Sequence, residues 1–274
     1  MFEMFAHSWK DIWLVLLSVV HLALFFVVAF FFDALSWPWL VALGGLLVFL
    51  YCTNYQCVAH NFLHNPFFKW EWLNNAFSVM NSMVLGMPQT LYKYHHLNHH
   101  QFNNDVPEPP AMTQDRSSTF RHARTPGREE NILLYSLLGP FRTDMHALYV
   151  TARSKNRTAI VWWESAGMLA FTGALVAINP WYAVKFLLPV WYLGQAAALA
   201  ENYLEHHHAV PGNRLTDSVS CYAGFYNFIW FNNGYHQEHH YRPTVHWTKV
   251  PELRVDMLPE SERRVVHWAH WVNF

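Results

Sequence analysis

Residues 12 to 32 read IWLVLLSVVHLALFFVVAFFF, a stretch without a single Asp, Glu, Lys or Arg. At about 1.5 Å per residue, a helix of this length covers the roughly 30 Å hydrocarbon core of a bilayer. It is too long, and too weakly preceded by charge, to read as a cleaved signal peptide. Charged residues make up only 14% of the chain, well under the quarter expected of a soluble domain. A second apolar run, 39 to 58, follows the short break DALSWP, whose tryptophan suits an interfacial belt. Two more runs, 160 to 178 and 181 to 200, are separated only by Asn179 and Pro180. The expectation is an all-α integral membrane protein with four transmembrane helices in two hairpins. Residues 1–274 read as one domain, with 59–159 and 201–274 forming a histidine-rich cap.

Three further apolar segments do not suffice to cross. Residues 73 to 91 are interrupted by Asn81, Gly86 and Pro88, while 132 to 138 and 221 to 231 are too short, so interfacial or re-entrant helices are expected. Lys and Arg orient the chain. The linkers at 33 to 37 and 179 to 180 contain none, whereas 116 to 157 holds Arg116, Arg121, Arg124, Arg128, Arg142, Arg153, Lys155 and Arg157. By the positive-inside rule the long loop and both termini are cytoplasmic. Topology explains this basic loop more simply than an anionic partner does, and a net charge of −1 gives no argument for nucleic-acid binding. Cys52, Cys57 and Cys221 have no metal-type spacing and read as buried packing residues.

The 19 histidines equal all aspartates and glutamates together, and function is to be sought among them. They concentrate in HNFLH (60–64), HHLNHH (95–100), NYLEHHH (202–208) and HQEHH (236–240). All four groups fall on the cytoplasmic side of the expected topology. Residues three or four apart share a helix face, which pairs His60 with His64, His96 with His99 and His100, and His236 with His239 and His240. Consecutive histidines point about 100° apart. In the third group Asn202, four residues before His206, singles out that ring and suggests a water-mediated metal contact from Asn202 itself. Nine imidazoles exceed the needs of one tetrahedral ion, so two metal ions are the economical reading. Imidazole suits iron, zinc, copper and nickel alike; redox chemistry in an apolar setting favours iron. The absence of intramembrane carboxylate pairs argues against a bundle-type carboxylate site. His7, His21, His122, His146, His246, His267 and His270 read as caps, packed rings or surface groups, and His95, His207 and His208 as outer or solvated ones.

The ordered boxes HxxxH (His60, His64), HxxHH (His96, His99, His100) and HxxHH (His236, His239, His240), with HHYRPTVHWTKVPEL running on from the last, resemble the membrane fatty acid desaturase and hydroxylase superfamily over residues 40 to 255 or so. The resemblance implies a non-haem centre of two irons, completed by His206 and Asn202. It implies O2-dependent oxidation of a fatty acyl or lipid chain, with a double bond as the product. No catalytic residue beyond the metal centre is indicated. No cytochrome b5, flavin or ferredoxin domain is recognised, so electrons are expected from a separate donor of ferredoxin, rubredoxin or cytochrome b5 type. The setting is the inner membrane in a bacterium or the endoplasmic reticulum in a eukaryote.

Hydroxylation or ketolation on the same scaffold is the nearest rival. A membrane metal transporter is a remoter one, since it would bury ionisable groups near the bilayer midplane, where the spans offer little beyond His21, Glu164 and Lys185.

Overall fold

The computed structural model describes residues 2–108 and 110–274. In chain order the main helices are α1 (Ile12–Phe31), α2 (Trp37–Thr53), α3 (His60–His64), α4 (Glu71–Leu85), α5 (Gln89–Phe102), α6 (Ile132–Arg142), α7 (Met145–Ser154), α8 (Thr158–Ile178), α9 (Pro180–Tyr182), α10 (Leu188–Leu204), α11 (Gly224–Ile229) and α12 (His236–Tyr241). Strands β1 (Ser220–Cys221) and β2 (Val265–Val266) pair in parallel. Among the described residues four continuous helical stretches are long and apolar enough to cross a membrane: Trp9–Ala34, Trp37–His64, Thr158–Ile178 and Pro180–Leu204.

These stretches overlap the four expected spans but are longer at several ends. The second runs through a wider π-type turn at Asn54–Ala59 and on to His64, so the first histidine box continues the span's own helix, where a separate cap segment was expected. No proline or glycine lies between Tyr51 and His64 to stop it; the chain leaves helical geometry at Asn65, just before Pro66. Likewise α4 ends where expected, at Gly86 with φ +64°, because only a residue without a Cβ takes that conformation freely. Asn81 does not interrupt α4: it is buried within the helix. The segment 221 to 231 is only partly helical, and β1 with β2 departs from an all-helical reading.

The chain divides into two compact units. The first comprises the residues up to Tyr94 together with Asp144–Ala198. Its core joins Phe25 and Val28 of α1, Leu47 of α2, Val84 of α4, Phe171 and Leu175 of α8, and Leu187. Large apolar side chains also point outward, among them Phe30 (68% exposed) and Leu169 (75% exposed), as expected of helices whose solvent is lipid. Several buried polar groups within this unit pair with one another. Asn54 and Asn81 exchange amide hydrogen bonds at 2.9 and 3.0 Å, Ser18 donates to Asn81, and Asn81 Nδ2 donates to Gln89 Oε1 at 2.6 Å. Glu164 accepts from Ser78 Oγ and from Thr90, whose Oγ1 lies at 2.7 Å. In an apolar medium each such group left unpaired would cost several kcal/mol.

Gly194 of α10 lies so close to α2 that an added Cβ would stand 2.4 Å from Tyr51 Cγ. Tyr51 is fully buried and its hydroxyl donates to the Leu85 carbonyl, so it has little room to yield. Gly194→Ala is expected to destabilise the first unit by about 1–3 kcal/mol, read as a lowered thermal midpoint of the detergent-solubilised protein.

The second unit comprises His95–Thr143 and Leu199–Phe274. Tyr135, Tyr203 and Leu204 form an apolar cluster with Ile132 and Leu199. Its long loop is ordered by side chains that replace regular backbone pairing: Asn104 Oδ1 accepts from Thr119 N at 2.7 Å, and Asp105 accepts from the backbone of Gln114 and Asp115 at 2.7 and 2.9 Å.

Candidate metal centre

The i, i+3 and i, i+4 spacings place the histidines of each box on one helix face, as the sequence suggested. In the second unit, α5 supplies His96, His99 and His100, α12 supplies His236, His239 and His240, and His206 follows the end of α10. One nitrogen from each of His99, His206, His236 and His240 lies within 4.8 Å of the others, and all four rings are buried. His96, His100 and His239 form a second set meeting the same limit. The sets adjoin: the His100 and His240 ring centroids are 4.4 Å apart. In the first unit His60 and His64 sit with ring centroids 5.3 Å apart.

Hydrogen bonds fix which nitrogens are available. His99 Nδ1 lies 2.7 Å from the buried carboxylate of Asp115, and His206 Nδ1 lies 2.9 Å from the Asp217 carbonyl. Both Nδ1 atoms therefore carry a proton, which leaves Nε2 as the atom through which each neutral ring would bind a metal. Those two Nε2 atoms face each other at 3.0 Å, and His236 Nε2 lies 3.3 Å from that of His206. Burial, then the proximity of His99, lowers the His206 pKa to about 3, so no proton is held there at neutral pH. His240 has neither ring nitrogen hydrogen-bonded, and burial followed by His236, His206 and His99 keeps its pKa well below the ordinary value. Nitrogens bound to one ion at roughly 2.1 Å lie about 3.0–3.4 Å apart, and the His99–His206 and His206–His236 separations fall in that range. In the other set His100 Nε2 lies 2.8 Å from His96 Nε2 and 3.1 Å from His239 Nε2. His60 Nδ1 is engaged by the Gln56 carbonyl at 3.0 Å. The donor chemistry fits metal ions held by neutral imidazoles.

Supporting groups went unseen in the sequence. Asp115 also accepts from Asn104 N, Ser117 N and Ser117 Oγ, each at 2.8 Å. Burial would raise its pKa, but His99 and these hydrogen bonds hold the carboxyl well below the usual range. It lies sixteen positions after His99, with no local spacing to betray it. Behind His236 stand Glu205, 3.5 Å from His236 Nδ1, and Glu201 with His270. His270 Nε2 lies 2.9 Å from the Val219 carbonyl, so this histidine is packed within the second unit. Asn202 Nδ2 donates to the Tyr135 hydroxyl at 2.9 Å. His207 Nδ1 pairs with Glu129.

Apolar spans joined to a dense, buried set of neutral imidazoles define an integral membrane protein with a metal site. The family model for fatty acid desaturases matches residues 36–271, and the chain belongs to that family. It is an oxidoreductase that desaturates lipid. The chain is 28% identical to the sphingolipid delta(4)-desaturase/C4-monooxygenase DES2 of Rattus norvegicus over 249 residues, covering 87% of this chain and 72% of that protein. It is 26% identical to the sphingolipid delta(4)-desaturase DES1 of Drosophila melanogaster over 228 residues, 80% of this chain and 67% of that one. The sphingolipid delta(4)-desaturase of Schizosaccharomyces pombe is 25% identical over 257 residues, 87% and 67% of the respective chains. No solved structure matches the chain.

Proposed function

We propose that the chain is an O2-dependent desaturase with two non-haem irons whose ligands are drawn from His60, His64, His96, His99, His100, His206, His236, His239 and His240, with His99, His206, His236 and His240 forming one set in the second unit and His96, His100 and His239 another. Asn202 contributes through a bound water, with its amide anchored on Tyr135. The observation that carries this reading is the His99–His206 pair, whose Nε2 atoms face each other at 3.0 Å while each Nδ1 is engaged by an acceptor. When bound, the irons supply the oxidising power by which O2, two electrons and two protons remove two hydrogens from neighbouring methylenes and leave as two waters. The protein's own part is to hold the rings: Asp115 and the Asp217 carbonyl fix the tautomers of His99 and His206, as outer partners of metal-bound histidines do. Burial of the rings excludes bulk water.

The membrane arrangement belongs to the same reading. The spans form two hairpins within one functional domain, short apolar helices such as α6 lie at the interface, and the histidine-rich segments form a cytoplasmic cap, as the basic stretch 116 to 157 indicates. A separate donor of ferredoxin, rubredoxin or cytochrome b5 type delivers electrons on that face. The relatives' names make a sphingolipid backbone the first substrate to test. The rat relative's second name, a C4-monooxygenase, favours hydroxylation as the second reading.

Mass spectrometry of hydrolysed lipids from cells expressing the protein with a matching donor tests this. The expected product is lighter by two hydrogens and absent with His236→Ala. A product heavier by one oxygen supports the second reading. A lipid profile unchanged from that of the variant contradicts both.

A further inference from the structure

The first unit contains a cavity of about 380 Å³ between the end of α3, the outer faces of α4 and α5, and the start of α8. Its polar lining is strongly biased toward donors. Lys69, Lys93 and Arg157 line it together, with Glu71 as the carboxylate among the lining residues. That carboxylate is engaged by Arg157 Nη1 at 3.2 Å, in a pair exposed on both sides and hence weak. Lys93 is half-buried, and burial followed by the charge of Arg157 lowers its pKa, so two cations are kept close at an energetic cost. Gln89 lines the same cavity and is 2% exposed. Its Oε1 is taken by Asn81, which fixes the amide's orientation, and its Nε2 has no hydrogen-bond partner. A buried donor without an acceptor costs about 1–3 kcal/mol. Ser78 and Thr90, also in the lining, spend their hydrogens on Glu164. The apolar walls are Phe62, Leu63 and Ile160.

We propose that this cavity binds a phosphate ester, its oxygens taken by Lys69, Lys93, Arg157 and the Gln89 amide and its apolar portion lying along Phe62, Leu63 and Ile160. The group can come from a lipid head or from a water-soluble phosphate. The assignment does not depend on the metal reading, because it is tested by binding alone.

The test is native mass spectrometry of the full chain in detergent, offered phosphatidic acid and diacylglycerol of the same chain lengths, with inorganic phosphate as competitor. The expected result is at least a tenfold preference for the phosphate-bearing lipid, falling to near parity in Lys93→Gln/Arg157→Gln at an unchanged thermal midpoint. Displacement by inorganic phosphate supports a soluble source; its failure to compete supports the lipid head. Removing two cations of the second unit, Lys249→Gln/Arg254→Gln, should leave the preference intact. No preference in the native chain, or an equal loss in both double variants, overturns the proposal.

Discussion

His206→Ala is expected to reduce lipid desaturation by more than about 100-fold, beyond the 10- to 100-fold associated with loss of an outer partner of a metal ligand. The ring is 1% exposed and its Nε2 lies within 3.3 Å of two other imidazole nitrogens. Its orientation is set by the Asp217 carbonyl on Nδ1, and neighbouring His99 is tied to Asp115. Paired measurement of product formation and iron content separates the causes. Activity and metal should fall together, with helical content retained. Activity retained at more than a tenth of the native level would remove His206 from the metal centre.

Asp115→Asn should lower metal affinity or activity roughly 10- to 100-fold. The amide can present its nitrogen to His99 Nδ1, which favours the other tautomer and places the ring's one proton on Nε2, where the metal would bind. Asp115→Ala should add a stability loss on the order of 3 kcal/mol or more, because it strands buried donors in the loop that carries Ser117. The carboxylate also sets an acid limit. Its folded pKa lies below the unfolded value of about 3.9, as His99 and the surrounding hydrogen bonds dictate. The stability it contributes is fully present above that unfolded value and is lost as pH falls below it toward the folded pKa. Acid unfolding of the native chain followed by circular dichroism should therefore begin near pH 4, and Asp115→Asn should show a shallower pH dependence there. Identical acid profiles would refute this role.

What could be read from sequence was what repeats locally. Uninterrupted apolar length revealed the candidate spans, and i, i+4 spacing revealed which histidines of one box share a face; of the three consecutive histidines, His206 is the one whose ring lies beside His99, His236 and His240. Groups that meet only through tertiary folding left no such mark. Asp115 reaches His99 from an irregular loop, and the parallel pairing of Ser220–Cys221 with Val265–Val266 joins segments more than forty residues apart. Box one was expected beyond the span because its histidines are polar, yet nothing in the chain before Pro66 breaks the helix. Glu164 stood out only as one of the few ionisable residues of the spans; its partners Ser78 and Thr90 come from neighbouring helices, which no spacing rule connects.

Iron and zinc content per chain is the most direct measurement, made on protein purified and reconstituted under reducing conditions beside the His240→Ala variant. Two irons per chain in the native protein, falling below that number in the variant, are expected from two adjoining sets of neutral imidazoles. One zinc and no iron would contradict them.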